Sequence, residues 1–322
     1  MSAMPFDVRP RADDAEGWAS VLASSGHAPA AYASTMIDYQ AAYHGLTDLS
    51  MTIRDGGSLV GAWVLGVGEG VPVSSGAPAG PPLFVTAAQE RSRKRVIDAC
   101  LDTLALLCAT LGRPSWTGEE IVGPGGLSLW HRRLAERAAA VTVGYELFAD
   151  LSWRLDALRL NVRKSYRPLL GKADLWRVEV LGPELAPETW DECRELHRMV
   201  AGRTTRPRET WDLQFRAISA GEGFVVTLRE AEDMLIGYAL FHHSRHEALY
   251  ASAAYDRGLE AQGLPLGHVS LWRAIEHAKG LGLRSLRLGE RVYGPGKEAT
   301  ISLFKEGFAT HMFPRFRTET PV

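Results

Sequence analysis

The feature that most constrains the fold is a recurrence. Leu59-Val60-Gly61-Ala62-Trp63-Val64-Leu65 resembles Leu235-Ile236-Gly237-Tyr238-Ala239-Leu240-Phe241. Each heptad falls in the second strand of a hairpin. In the first half, LSMTIRD from Leu49, the turn Gly56-Gly57 and then SLVGAWVLGVG read as two strands around a tight turn. In the second half, GFVVTLRE, MLIGYALFHHS and ALYASAAYD read as a three-stranded meander. A long amphipathic helix and a short strand follow in both. In the first, Val96, Ile97, Cys100, Leu101, Leu104, Leu107 and Cys108 recur at helical spacing between Gln89 and Leu111, and Gly112 ends the helix. In the second, HVSLWRAIEHAKGLG is the helix and LRSLRLGE the buried strand. Recurrence of order and motif together predicts a duplicated α/β chain with mixed sheets flanked by helices. The boundary falls near residue 150, giving domains 1–150 and 151–322; the 322-residue length suits two domains.

The remaining segments fill in around this frame. Ala31 to Tyr43 and Leu127 to Ala138 read as helices, Ser115 opens a short strand, and VTVGYELFADLS reads as another. VPVSSGAPAGPP is rich in Gly, Pro and Ser and reads as a loop long enough to be functional.

Charge and cysteine content exclude several function classes. Net charge is −2, against the strongly basic balance of general nucleic-acid binders, so no DNA partner is expected; one RNA end remains open. Cys100, Cys108 and Cys193 have no metal-ligand spacing and read as buried thiols in a reducing compartment. MSAMPFDVRPRADD has no apolar core behind a basic start, and the apolar run from Ala99 to Ala109 is too short to span a bilayer. A cytoplasmic location is expected.

A strand meander followed by one helix and one strand is the element order of the GNAT acyltransferase core, here present twice. Three segments sharpen the resemblance. Phe304-Lys305-Glu306-Gly307-Phe308 is similar to the FK-x-GF signature of the Fem transferases. Asp156 to Leu170, DALRLNVRKSYRPLL, resembles the R-x-x-x-RKS stretch that opens the second Fem domain. Leu196-His197, Ala201-Gly202-Arg203-Thr204-Thr205-Arg206, Thr210-Trp211 and Gln214 resemble the LH…AGR-x-TR…TW…Q stretch of a FemAB-like group encoded with cell-surface polysaccharide genes. The chain departs from the family at Ala309, where the Fem tail often has Gly, and in lacking a heptad-rich insertion. The resemblance implies two tandem GNAT-like domains. It also implies an N-acyltransferase that moves an aminoacyl group from aminoacyl-tRNA to an amine, with no resident cofactor.

Acyl-CoA as the alternative donor needs a phosphate cradle. GNAT enzymes supply it with an R/Q-x-x-G-x-G/A loop at the start of the core helix, where free N–H groups meet the pyrophosphate. Started at Gln262, that pattern puts Pro265, which has no N–H, at its first glycine; started at Arg257, it puts Glu260 there. Residues 81–95, PPLFVTAAQERSRKR, offer nothing better.

Amide formation passes through a tetrahedral oxyanion that needs a positive charge or N–H donor. The resemblance assigns that role to Lys305 and sets Phe304 on the donor's terminal adenosine; from the residues alone, Lys305 equally fits a solvated lysine after a short apolar helix. Arg159, Arg163 and Arg167 recur every four residues, predicting one basic helix face that suits phosphate and equally fits a solvated face. Arg203, Thr205, Arg206 and Arg208 cluster around Pro207 before Trp211, a composition suited to clamping a carboxylate or phosphate of a small-molecule amine acceptor, and also to a charged turn. His197 and His268 are candidate hydrogen-bonding or proton-carrying groups, and equally satisfied structural histidines. His242 and His243, adjacent on a strand, face opposite sides. Tyr250, Tyr255, Glu290 and Tyr293 fall near strand ends where a GNAT sheet opens. No Ser-His-Asp order and no metal-ligand cluster is evident, so no metal is expected.

Overall fold

A computed structural model describes residues 5–69, 71–73, 79–123 and 125–322. Contacts divide the chain into two compact units, residues 1–145 with 313–322, and residues 146–312.

The first unit opens with β1 (Asp7–Pro10), α1 (Ala15–Ser24), a 3-10 turn (Ala30–Tyr32) and α2 (Ser34–His44). Strands β2 (Thr47–Asp48), β3 (Met51–Asp55), β4 (Ser58–Trp63), β5 (Gly66–Gly68), β6 (Val71–Val73) and β7 (Leu83–Phe84) follow. Then come α3 (Glu90–Thr110), β8 (Ser115–Ile121), α4 (Leu129–Arg137) and β9 (Ala140–Asp150), which runs past the unit boundary. The sheet order is β1-β3-β4-β7, all antiparallel. Gly112, at φ +67°, closes α3 in the left-handed conformation glycine takes without cost. Two expectations need correcting. The strand after Gly56-Gly57 breaks at Trp63, and its tail Gly66–Gly68 is β5, paired with β2 and β6. Of the expected loop VPVSSGAPAGPP, Val71–Val73 is strand β6, because it finds a ladder partner in β5; residues 74–78 lie outside the described residues.

The second unit continues with α5 (Leu155–Asn161), α6 (Arg167–Leu170), a 3-10 turn (Gly171–Leu175), β10 (Arg177–Leu181), α7 (Pro187–Ala201) and α8 (Arg208–Ser219). After them come β11 (Gly223–Arg229), β12 (Leu235–His243), β13 (Glu247–Tyr255), α9 (Arg257–Ala261), α10 (Leu266–Gly280), β14 (Ser285–Glu290) and α11 (Lys297–Glu306), before the last strand β15 (His311–Pro321). Strands β10 to β13 form an antiparallel meander, β14 joins β13 in parallel, and residues 146–150 of β9 pair with β14.

The duplication is visible as topology. The series β1, α1, α2, β3, β4, β7, α3, β8 recurs as β10, α7, α8, β11, β12, β13, α10, β14, and the two similar heptads begin on β4 and β12. The central strands of the second unit are buried on both faces, which is why they read as continuous apolar runs. Side chains still alternate. Phe224, Val226, Ala239 and Phe241 pack with Leu271, Trp272, Ala274 and Ile275 of α10. Val225, Tyr238 and Leu240 pack with Trp190, Cys193, Leu196, Trp211 and Ile218 of α7 and α8. Burying one such leucine or phenylalanine contributes about 1.5–3 kcal/mol. Among the described residues, no helix is long and apolar enough to cross a membrane.

Candidate functional site

The parallel pairing of β13 with β14 is short. Glu247, Ala248 and Leu249 face Ser285, Leu286 and Arg287, after which the two strands run on to Tyr255 and Glu290 without pairing to each other. The sheet opens there, between Tyr250 and Leu288–Glu290. The β14 edge of this opening is irregular: its register against β9 shifts between Arg287 and Gly289, and Gly289 takes φ +113°.

Lys305, in the last turn of α11, reaches this opening. Its Nζ lies 4.5 Å from the ring centroid of Tyr250. Nζ lies against the Gly289 backbone, where a Cβ would stand 3.4 Å from it. Tyr250 stacks on Phe241, with centroids 4.9 Å apart, and its hydroxyl lies 3.4 Å from that of Tyr255. Burial pushes both tyrosines' pKa values up, so they stay protonated. Burial pulls the Lys305 ammonium down to about 8, opposed by the nearby Glu146 carboxylate. The lysine is therefore a cation at neutral pH, held against an aromatic face.

Two segments quoted for the Fem resemblance meet at this lysine. The Arg163 N–H donates to the Gly307 carbonyl at 2.8 Å, and its guanidinium donates to the Leu303 carbonyl at 3.1 Å. Asn161 donates to the Ala309 carbonyl at 2.8 Å. The Tyr166 ring sits in a box of His268, Phe304 and Phe308. Gly307 is required because Tyr166 lies directly on it: a Cβ at that position would be 2.2 Å from the tyrosine ring. His268 is pulled down to about 4 by burial, so it is a neutral wall of this box at physiological pH.

The expected basic helix face is not formed. Helix α5 ends at Asn161, so Arg159, Arg163 and Arg167 do not share a helix. Pro168 explains part of this: it cannot sit inside a continuous helix without losing a hydrogen bond and clashing with the preceding turn. Arg167 instead caps α5, donating to the carbonyls of Val162 at 2.8 Å and Leu160 at 2.5 Å. Arg159 is exposed on α5.

The first turn of α10 is poorly suited to an anion. Pro265 is its N-cap, the Leu266 N–H turns onto the Leu264 carbonyl at 3.0 Å, and the His268 N–H turns onto the Pro265 carbonyl at 3.1 Å. A Cβ on Gly267 would stand 3.3 Å from the Tyr255 ring and 3.4 Å from that of Phe304, so two aromatic rings cover that turn.

A second concavity lies between α7 and α8. It has a volume of about 270 Å³ and is lined by Arg194, His197, Arg198, Thr205, Arg206 and Trp211, with Glu195, Thr204 and Arg208. Arg206 stacks on Trp211, its guanidinium carbon 4.1 Å from a ring centroid, and reaches Ser252 of β13 at 3.4 Å. His197 Nδ1 lies 2.8 Å from the Tyr238 hydroxyl. Burial, then the Arg206 and Lys297 charges, lowers that imidazole to about 4.

The structure thus gathers Lys305, Phe304, Tyr255 and His268 at the opening, and Thr205 and Arg206 at the concavity. Arg203 is exposed on the connection between α7 and α8 and does not line the concavity. Tyr293 is exposed beyond β14, with Arg291 over its ring at 4.4 Å. The sequence reading passed over Glu146, Arg287 and Gly289 at the opening, and Arg194 and Arg198 at the concavity. The one available signal was Gly289, since an isolated glycine inside a strand pattern marks a bulge.

Residues 157–298 match the family described as "Acetyltransferase (GNAT) domain". Among solved structures, the chain is similar to FemX at 12% identity and a TM-score of 0.70, over 94% of this chain and 95% of that one. L-PGS from Bacillus licheniformis is 12% identical with a TM-score of 0.62, over 95% and 91%. A tandem GNAT protein from the clavulanic acid biosynthesis pathway is 17% identical with a TM-score of 0.53, over 98% of both. No curated protein matches the chain. At these identities the likeness to solved structures is one of fold. The chain carries a GNAT acyltransferase domain in its second unit and has the tandem fold of the Fem-like GNAT proteins.

Proposed function

We propose that this chain forms amides by moving an aminoacyl group from the 3′ end of an aminoacyl-tRNA to an amine of a cell-wall precursor, amino sugar or peptide-like metabolite. The observation that carries the reading is the Lys305 ammonium at the parting of β13 and β14, beside an α10 first turn whose Leu266 and His268 N–H groups are already engaged. The donor comes from the Fem resemblance. The amine nitrogen attacks the ester carbonyl carbon, and the carbonyl electron pair moves onto oxygen. The Lys305 ammonium donates to that oxyanion. Collapse breaks the carbon–oxygen bond to the ribose, and the proton lost by nitrogen goes to the leaving oxygen. Phe304 is assigned to the donor's terminal adenine, and the exposed Arg159 to its backbone phosphate. Arg163 and Arg167 act on the donor indirectly, by shaping the turn that carries Phe304 and Lys305. Tyr255 borders the acyl group, and Tyr293 flanks the entrance. The reaction belongs in the cytoplasm, where aminoacyl-tRNA is made.

The acceptor is assigned to the concavity, with Arg206 and Thr205 holding a carboxylate or phosphate and Arg203 at its margin. Replacing Arg206 by methionine is expected to raise the acceptor's KM about tenfold or more with little change in kcat, the signature of lost uniform binding. A kcat loss with unchanged KM would contradict that role.

Because Lys305 must be charged, kcat/KM is expected to fall as pH rises through about 8, where the buried ammonium gives up its proton. A profile without a descending limb up to about pH 9.5 would remove the ammonium from the mechanism.

The direct test is transfer of a labelled amino acid from aminoacyl-tRNA to an acid-stable amide, with and without RNase. Loss of transfer on RNase treatment supports the reading. The description of the matched family as an acetyltransferase domain favours a second reading, acyl-CoA or acyl-carrier-protein dependent acylation of an amino sugar. RNase-insensitive transfer from acetyl-CoA would establish it instead.

A further inference from the structure

The arginines that line the concavity between α7 and α8 are not alike. Arg194 meets Asp191 at 3.0 Å, Arg198 meets Glu195 at 2.5 Å, and Arg208 faces Asp212 at 3.9 Å, each within its own helix. Glu195 lines the concavity too, so a second negative charge on a ligand would meet a carboxylate there. Arg206 is held differently. Its guanidinium carbon lies 4.1 Å over the Trp211 ring. That ring is a firm platform: it is 4% exposed, it packs on Trp190, and its carbonyl accepts from the Trp190 indole at 3.0 Å. A guanidinium held over an indole keeps its N–H edge for an in-plane partner, and that fork matches one carboxylate.

His197 adds a donor without adding a charge. Its Nδ1 lies 2.8 Å from the Tyr238 hydroxyl, which is fully buried and kept protonated by that burial. With the phenol donating to Nδ1, the imidazole carries its proton on Nε2, in a ring that lines the concavity. Burial keeps that ring neutral at physiological pH. One fixed guanidinium fork, one neutral N–H and the Thr205 hydroxyl match a monoanion better than a phosphate dianion.

We infer that the concavity recognises a single carboxylate, which makes the acceptor a small amino carboxylate, an amino acid or dipeptide, and not a phosphorylated amino sugar. The inference rests on the reading that this concavity holds the acceptor. Its volume of about 270 Å³ lies just below the usual range of small-molecule pockets and suits one or two residues, not a sugar nucleotide. Position adds a length. Arg206 reaches Ser252, two residues beyond Tyr250 on β13, and the β12·β13 register shifts between these two. Tyr250 carries the Lys305 ammonium on the opposite face of the sheet. Two residues of strand span about 6–7 Å, so an amine at that distance from its carboxylate fits better than an α-amine beside it.

The test is isothermal titration of the full chain, without donor and at fixed ionic strength, with three probes. They are alanylalanine, its C-terminal amide and glucosamine 6-phosphate. Alanylalanine is expected to bind about tenfold or more tightly than either of the others, the scale of a hydrogen-bonded charge. Arg206→Met should bring alanylalanine down to the level of its amide, and Arg206→Lys, which keeps the charge and loses the fork, should fall between. The comparison among probes uses the wild-type protein, so it decides the matter even if Arg206→Met does not fold. Glucosamine 6-phosphate bound as tightly as the dipeptide, a dipeptide no tighter than its amide, or no binding by any probe overturns the proposal. The readout does not depend on turnover. The expected order of affinities in a protein that transfers nothing would sink the proposed function and leave this inference standing. Transfer onto a phosphorylated amino sugar would do the reverse.

Discussion

Replacing Lys305 by alanine leaves a folded protein whose RNase-sensitive transfer is about 100- to 1,000-fold slower, the usual cost of removing one oxyanion donor. The expectation of a folded protein has a physical basis. The contact described for the ammonium is the Tyr250 face, and burial already works against its charge. Removing a desolvated cation should cost little stability. Losing a charge that acts mainly in the transition state should lower kcat rather than raise KM. Lys305→Met keeps the stem and should be as slow, which separates charge from packing. The check is the single-turnover rate beside the melting temperature. A variant within a factor of about five of wild type would show that the oxyanion is met elsewhere.

Gly307→Ala should lower stability by about 1–3 kcal/mol although its backbone tolerates alanine. Its φ is −63°, so no strain arises there. The conflict is steric. The new methyl would meet the Tyr166 ring at 2.2 and 2.8 Å and the Phe304 carbonyl at 3.1 Å. Tyr166 has nowhere to go. His268 lies 4.4 Å from its centroid, and Arg163 both hydrogen-bonds its hydroxyl at 2.7 Å and covers its ring at 4.9 Å. Displacing the ring moves the turn that carries Phe304 and Lys305, so activity should fall by more than the loss of folded protein explains. Phe308→Ala, at a side chain 1% exposed, should cost about 3–5 kcal/mol through the cavity it leaves. Urea midpoints measure both. A Gly307→Ala midpoint equal to wild type would mean that Tyr166 does not hold the turn.

These two predictions mark what the sequence made legible. Strands β11 to β14 and helix α10 could be read because apolar runs between glycine-rich turns leave few alternatives. Lys305, Phe304 and Gly307 stood out only through the Fem resemblance; nothing in their spacing separates Lys305 from a surface lysine. Helices α7 and α8 are not among the expected elements, although Trp190, Cys193, Leu196 and Val200 recur at helical spacing on α7. The Arg159–Arg163–Arg167 stripe was an error of periodicity, with Pro168 standing in plain view against it. Glu146 and Arg287 were out of reach for a different reason. They are 141 residues apart, and only the β9·β14 pairing brings the carboxylate to the guanidinium.

The central claim is that the opening at Lys305 receives an aminoacylated RNA end. Its most direct test is the melting temperature of the purified protein with a hydrolysis-resistant aminoacylated tRNA 3′ end, set beside acetyl-CoA. A ligand that binds only the native state raises the melting point by mass action. A rise with the RNA mimic alone, lost or reduced in Lys305→Ala, is the predicted result. A rise with acetyl-CoA alone would contradict it, and would mean that α10 receives a pyrophosphate despite Pro265.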